Sequence, residues 1–385
     1  MAISARYLNG VEQQMDEVKA KFERELEQQT AMVKKPNLMV IGGTGVGKSS
    51  LINSIFGTEL AAVGTGAPVT KGCICYEKEG IPLVIFDTEG YEISSNGTEL
   101  ANFAKIVIPE ISRRKKLELD QQIHLIWYCI SVGNHRITDY DLQNLSDIAD
   151  SLDIPVAVIL TQCDTEEEDE NGKGKTSQAF RAILRQQKKS FPVFETSIQK
   201  DLPLDREVLM QWSAEALTDD QLRRSFISAQ RASLSLKRSE ANKVVTIAAV
   251  STGASAGLNP LPISDALLIV PQQLFMARAL ARVYGFDVLS SGAMALIESQ
   301  LVSMAGRQLA VSLLKLLPGV GQVVNAAVAA GMTGIMGMAL VEAFHRAYLQ
   351  FLDTGKMPDW AQLLSNENFR ALLDMAKNAW MEKQK

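Results

Sequence analysis

The chain has 385 residues, 46% hydrophobic and 22% charged, with a formal net charge of −5. That length suits two or three domains, and the acidic balance argues against a specific nucleic-acid partner, because such binders carry a basic surface. Four cysteines without a CxxC pair, and three scattered histidines, argue against structural zinc or a disulfide framework and point to a reducing compartment.

The first segment lacks the basic start and apolar core of a secretory leader, so a cytoplasmic location is expected. Tyr7, Leu8, Val11, Met15, Val18, Phe22 and Leu26 fall at helical spacing, which predicts an N-terminal helix over residues 1–35. A second domain is expected over residues 36–205. It opens with "NLMVIGG", a short apolar run that reads as a buried strand, followed by "KSSLINSIFG" with apolar residues at helical spacing.

Between them lies GxxxxGK[ST] in the strand-to-helix context that marks a phosphate loop. Gly42 and Gly47 permit backbone angles that turn N–H groups inward around phosphate oxygens. The helix start adds the positive end of its dipole. The expected nucleotide-binding set is Gly42, Thr44, Gly45, Val46, Gly47, Lys48, Ser49 and Ser50. In it Lys48 reaches the β and γ phosphates and Ser49 ligates Mg²⁺.

Downstream, "IPLVIFDTEG" is an apolar strand ending in an acid and a glycine. Asp87 there can hold Mg²⁺, and Gly90 can offer its N–H to the γ phosphate. Between the two motifs, "GTGAPVTKG" carries Thr70, the first choice for a residue closing over the metal, with Thr65 the alternative. Lys48, Thr70 and Gly90 form the expected catalytic set, and Ser49, Thr70 and Asp87 the metal set. The strand "IPVAVILTQCD" ends in Thr161, Gln162 and Asp164. An aspartate there accepts hydrogen bonds from guanine N1–H and the exocyclic amine, which adenine does not present. Ser197 and Ile198 follow a last strand, where a backbone loop can touch guanine O6. GTP or GDP is therefore the expected ligand, with Mg²⁺ its cofactor.

From about Pro36 to Asp205 the chain resembles P-loop GTPases of the translation-factor-related class. "GGTGVGKSSLINSIFG" is most similar to the Era, septin-like and immunity-related branches. The resemblance implies an α/β fold, a mostly parallel sheet with helices on both faces. Two departures bear on mechanism. Tyr91 stands where Ras-like enzymes place a water-orienting glutamine, so the resemblance implies slow intrinsic hydrolysis. Gly45 cannot supply the asparagine ligand of potassium-activated relatives. A further departure, Gln162 in place of lysine, shortens the stem over the base and implies lower affinity.

Residues 206–242 read as a helical linker with a capping break at Thr218. Basic residues cluster here and at the start of the next segment (Arg223, Arg224, Arg231, Lys237, Arg238, Lys243), and suit either a solvated face or an anionic lipid surface. Residues 243–385 read as an all-α hydrophobic domain with an amphipathic tail. "VVTIAAVSTGASAGLNPLPIS" and "LLPGVGQVVNAAVAAGMTGIMGMALV" carry no charge over bilayer-spanning lengths. Gly331, Gly334 and Gly337 are spaced for close helix approach. A packed bundle and a membrane hairpin both fit.

This half resembles the helical domain of uncharacterised function found after some bacterial Era-like GTPase domains. That implies a bacterial source and a role near the inner membrane, peripheral or integral at its cytoplasmic face. The expected function is a GTP-hydrolysing switch with a helical effector domain. The alternative is a septin- or dynamin-like protein whose nucleotide state sets oligomerisation. A membrane surface, a membrane protein and a second copy of the chain stand open as partners beside the guanine nucleotide.

Overall fold

The computed structural model describes residues 34–57, 67–70, 73–77, 81–88, 107–187, 189–199, 202, 204–257, 265–286, 295–297 and 322–383. Most of the expected N-terminal helix, Thr65, Gly90 and Tyr91 lie outside the described residues. One compact unit spans Val33–Leu236, and the described residues from Lys237 onward belong to another.

The first unit is built on strands β1 (Asn37–Ile41), β2 (Ala67–Thr70), β3 (Cys73–Glu77), β4 (Val84–Thr88), β5 (Leu125–Ser131), β6 (Val156–Thr161) and β7 (Val193–Glu195). Their order in the sheet is β2-β3-β4-β1-β5-β6-β7. β4, β1, β5, β6 and β7 run parallel, and the β2–β3 hairpin adds antiparallel strands at one edge. Every residue of β1, β5 and β6 is buried. This is why these strands appear in the sequence as unbroken apolar runs: a parallel strand is covered on both faces.

Two cores flank the sheet. On one face, alternate strand residues such as Val40, Trp127 and Ile159 meet helices α1 (Lys48–Phe56), α5 (Arg206–Ala216) and α6 (Asp220–Ala229). On the other, Ile41, Tyr128 and Leu160 meet α2 (Ile108–Arg114), α3 (Asp139–Ser151) and α4 (Lys175–Leu184). The period of two along each strand divides its side chains between the layers.

Residues 206–229 therefore do not link two domains. Leu209, Met210, Ala214, Leu222 and Phe226 complete the layer that α1 begins, because α1 alone cannot cover that face. The break between α5 and α6 is capped by Asp219, whose carboxylate accepts from the Gln221 and Leu222 amides, and not by Thr218. The basic residues of this stretch do not form one face either. Lys237 is fully buried and donates to the Val283 carbonyl at 2.9 Å, Arg223 pairs with Asp220, and Arg238 pairs with Glu342.

The second unit comprises α7 (Leu234–Gly257, which begins in the first unit), α8 (Asp265–Val283), α9 (Gln322–Thr354), the short α10 (Trp360–Leu363) and α11 (Asn366–Lys383). Helix α9 packs on α8 and α11. Its glycines sit at crossings. A Cβ on Gly334 would lie 2.4 Å from the Trp380 ring, and one on Gly337 would lie 2.6 Å from Val245 and 2.9 Å from the Met276 sulfur. Residues 327–354 of α9 are long and apolar enough to cross a bilayer, yet 78% of the most apolar window is buried within the fold. Around the end of α9 an aromatic cluster gathers Tyr284, Phe286, Phe344, Tyr348, Phe351 and Trp360.

Candidate functional site

The sheet order reverses at β1. The chain leaves β1 through α1 toward β4 on one side, and later reaches β5 on the other. In open α/β sheets ligands sit at such a switch point, beyond the carboxyl ends of the strands. The phosphate loop, residues 42–47, occupies that position.

Gly45 and Gly47 adopt φ of 76° and 94°, left-handed values that favour glycine. Gly42 is needed for a different reason: a Cβ there would lie 2.5 Å from the Cys129 carbonyl oxygen. No side chain caps the N-terminus of α1, and its first turn holds no acid. The terminal amides and the helix dipole are therefore directed at whatever the loop encloses. Lys48 is buried and donates to the Gly42 and Gly43 carbonyls at 3.0 and 3.1 Å, which fixes its ammonium across the loop. Ser49 and Ser50 are exposed at the helix start.

Asp87 lies at the end of β4, beside β1 in register with Val40. It is buried, and its Oδ1 has no hydrogen-bond partner. Burial pushes its carboxyl up to about 6, opposed by the Lys48 charge and by a hydrogen bond from the Ser49 hydroxyl. A carboxylate with one oxygen left unpartnered, beside a serine hydroxyl, is the donor set a small hard cation prefers. Among the described residues there is no cluster of three His, Cys, Asp or Glu, so they alone make no full cage here. Ser49 and Asp87 would hold Mg²⁺, with phosphate oxygens and water completing its shell. When bound, the ion would neutralise charge on the β and γ phosphates. Thr70 ends β2, opposite Cys73, which in turn lies opposite Thr88. Its backbone is thus at the same end of the sheet, two strand spacings or about 10 Å from Thr88.

The segments expected to read the base are tied to the phosphate loop. The buried Thr161 hydroxyl donates to the Val46 carbonyl at 2.5 Å. Gln162 takes a left-handed backbone, φ 60°, and its amide donates to the Gly45 carbonyl at 3.3 Å. Its side-chain oxygen accepts from the Ser131 hydroxyl at 2.6 Å. The shortened side chain is thus held at both ends of its amide, by two contacts that a lysine ammonium could not make together, since it accepts no hydrogen bond.

Asp164 lies just beyond, its carboxylate accepting from the Gln199 amide at 2.9 Å. Buried Thr196 and Ser197 join β7 to this loop. Thr196 donates through both its amide and its hydroxyl to the Leu160 carbonyl, and the Ser197 hydroxyl accepts from the Gln199 amide nitrogen. Ile198 stands 60% exposed at the loop surface. Sequence reasoning missed Gln199 and Ser131, whose polar residue types are ordinary in loops and carry no spacing signal.

A strand, a glycine loop and a helix start, with a buried acid on the neighbouring strand, define a P-loop nucleotide-binding fold. Residues 37–162 match the family described as 50S ribosome-binding GTPase, and residues 221–369 match a domain of unknown function, DUF697. Residues 37–162 thus form a P-loop GTPase domain with likeness to septins and Der, followed by a DUF697 helical domain. The family implies guanine-nucleotide binding and GTP hydrolysis.

Over 149 residues the chain is 28% identical to Septin-4 of Rattus norvegicus, covering 33% of this chain and 32% of that protein. It is 36% identical over 92 residues to GTPase Der of Chromobacterium violaceum, covering 23% of this chain and 19% of Der. The chain thus spans a third or less of the length of these curated relatives. Among solved structures, Era in complex with MgGDPNP and nucleotides 1506–1542 of 16S ribosomal RNA is similar at 17% identity and a TM-score of 0.35. That match covers 49% of this chain and 58% of Era. The G domain of T. maritima FeoB is similar at 16% identity and a TM-score of 0.30, over 47% of this chain and 98% of that one.

Proposed function

We propose that the chain binds guanine nucleotide with Mg²⁺, hydrolyses GTP slowly to GDP and phosphate, and uses the two states to switch its helical domain. Lys48 and the loop amides hold the phosphates, Ser49 and Asp87 the metal, and Asp164 the base. Thr70 and Gly90 sense the γ phosphate, so that its loss releases the segments that carry them. The helical domain, a packed bundle, is the output.

The observation that carries this reading is the bond from Thr161 to Val46, reinforced by that from Gln162 to Gly45. These bonds fix the distance between a phosphate-gripping loop and a carboxylate suited to guanine. A fluorescent-nucleotide titration tests it. The native chain is expected to prefer GTP and GDP over ATP. Asp164→Asn should weaken GTP roughly 10- to 100-fold, the worth of a lost charged hydrogen bond, and should favour xanthosine triphosphate, because the acceptor becomes an amide. Unchanged GTP affinity in that variant would remove the base assignment.

A further inference from the structure

A cavity of about 390 Å³ opens beside the phosphate loop. Gly43, Thr44 and Val46 form one wall, and the segment from β5 into the first turn of α3 forms another, including Asn134, Arg136 and Tyr140. Arg136 is exposed and, among the described residues, has no hydrogen-bond or ion-pair partner. The acid nearest to it in the lining, Asp141, does not neutralise it. That carboxylate accepts from the Thr138 amide, the Thr138 hydroxyl and the Tyr128 hydroxyl.

The segment carrying Arg136 is anchored at both ends. On the β5 side, the Ser131 hydroxyl accepts from the Gly133 amide and donates to Gln162, which in turn donates to the Gly45 carbonyl. A Cβ on Gly133 would lie 2.7 Å from the Gln162 oxygen, so the turn is built around that side chain. On the α3 side, Thr138 and Asp141 form a reciprocal capping box. Between these anchors His135 takes a left-handed backbone, φ 51°. That conformation costs free energy in a residue other than glycine, and such strain gathers at functional sites. Two rigid ends and a strained residue hold a guanidinium that has no partner among the described residues in the lining of a cavity shared with the phosphate loop.

We propose that Arg136 is a catalytic residue for GTP hydrolysis, placing its guanidinium on the terminal phosphate of the nucleotide bound in its own phosphate loop. This rests on the functional reading above. In the reaction a water oxygen bonds to the γ phosphorus while the bond from that phosphorus to the β,γ-bridging oxygen breaks. GDP keeps the electron pair, and the proton of the attacking water leaves with phosphate and solvent. Arg136 stays protonated throughout and offsets the charge that spreads over the transferring group. A planar fork of donors suits phosphate oxygens better than a point charge does.

The test is single-turnover hydrolysis with protein in excess, beside GDP and GTP affinity, for the native chain, Arg136→Ala and Arg136→Lys. Arg136→Ala should slow hydrolysis at least ~1,000-fold, the lower end of arginine-finger effects, with GDP affinity changed less than about threefold because the contact forms at the terminal phosphate. Lysine should restore less than about a tenth of the native rate. Formation of a GDP–aluminium fluoride complex should fail in Arg136→Ala. An unchanged rate overturns the proposal, and so does an equal loss of GDP affinity, which marks a structural role.

Mixing Arg136→Ala with Lys48→Ala separates same-chain from cross-chain action. Restored turnover would mean that the arginine serves a second copy, which also overturns the assignment. A native chain that binds no guanine nucleotide removes the functional reading itself, a result separable from all of these.

Discussion

The two units bury polar and small groups for different ends. In the nucleotide unit, buried polar atoms converge at one end of the sheet: Lys48 on loop carbonyls, Thr161 on Val46, and Asp87 with an oxygen left over. In the helical unit, the specific positions are glycines against which side chains of neighbouring helices pack. Chemistry demands particular atoms at particular points, whereas packing demands only volume. The first unit therefore declares itself through residue types, and the second through what it lacks.

The largest expected effect breaks the second region alone. Gly337→Leu must displace Val245 and Met276, and overpacking should destabilise the helical unit by about 3 kcal/mol. That loss far exceeds the helix propensity gained on replacing glycine. Calorimetry should show the helical transition falling while nucleotide affinity stays native. Loss of both together would show that the two units do not respond independently.

Asp87 sharpens the contrast from the other side, because here function costs stability. Its carboxyl stands near 6, against 3.8 for a free aspartate. The folded state therefore holds a proton more readily than the unfolded one. Stability from this group is greatest below about pH 4 and declines as pH rises through about 6. Asp87→Asn should then stabilise the nucleotide-free protein by roughly 2–3 kcal/mol at pH 8, with little gain at pH 4, as read by denaturant unfolding in chelator. The same variant should lose the Mg²⁺-dependent part of GTP binding. In the native chain that part should fade as pH drops below about 6. A destabilised Asp87→Asn at pH 8 would contradict the burial argument.

The smallest effect concerns the substituted lysine. Gln162→Ala removes the bonds to Ser131 and Gly45. It should lower nucleotide affinity about fivefold, the worth of one ordinary net hydrogen bond. No change would leave Thr161 as the sole link between the base and phosphate loops.

Much of the nucleotide unit was legible in the sequence. Parallel strands buried on both faces appear as "NLMVI", "LIWYCIS" and "VAVILT", and the candidate ligand-binding residues follow their ends. The β2–β3 hairpin was not, since "APVT" and "CICYE" are short strands without a clean alternation. Helices α5 and α6 read as a linker because amphipathic helices look alike whether they cover a sheet or span a gap; only the bare face beside α1 decides, and that is a tertiary fact. Gln199 on Asp164 was hidden for a similar reason, since a contact across 35 residues leaves no local pattern. In the helical unit, the spacing of Gly334 and Gly337 signalled close approach but not which helices approach. Trp380 and Val245 give that answer.

Trp127 carries a consequence of another kind. Its indole is wholly buried, stacked on Phe56 at 5.9 Å and edge-on to Phe226, with its N–H on Ser213. Phe56 is the last residue of the helix whose first residue is Lys48. An indole in such surroundings emits to the blue of one in water and is shielded from dissolved quenchers. The helix that starts at the phosphate loop thus touches an intrinsic fluorophore at its other end, and the chain carries its own optical probe of that helix.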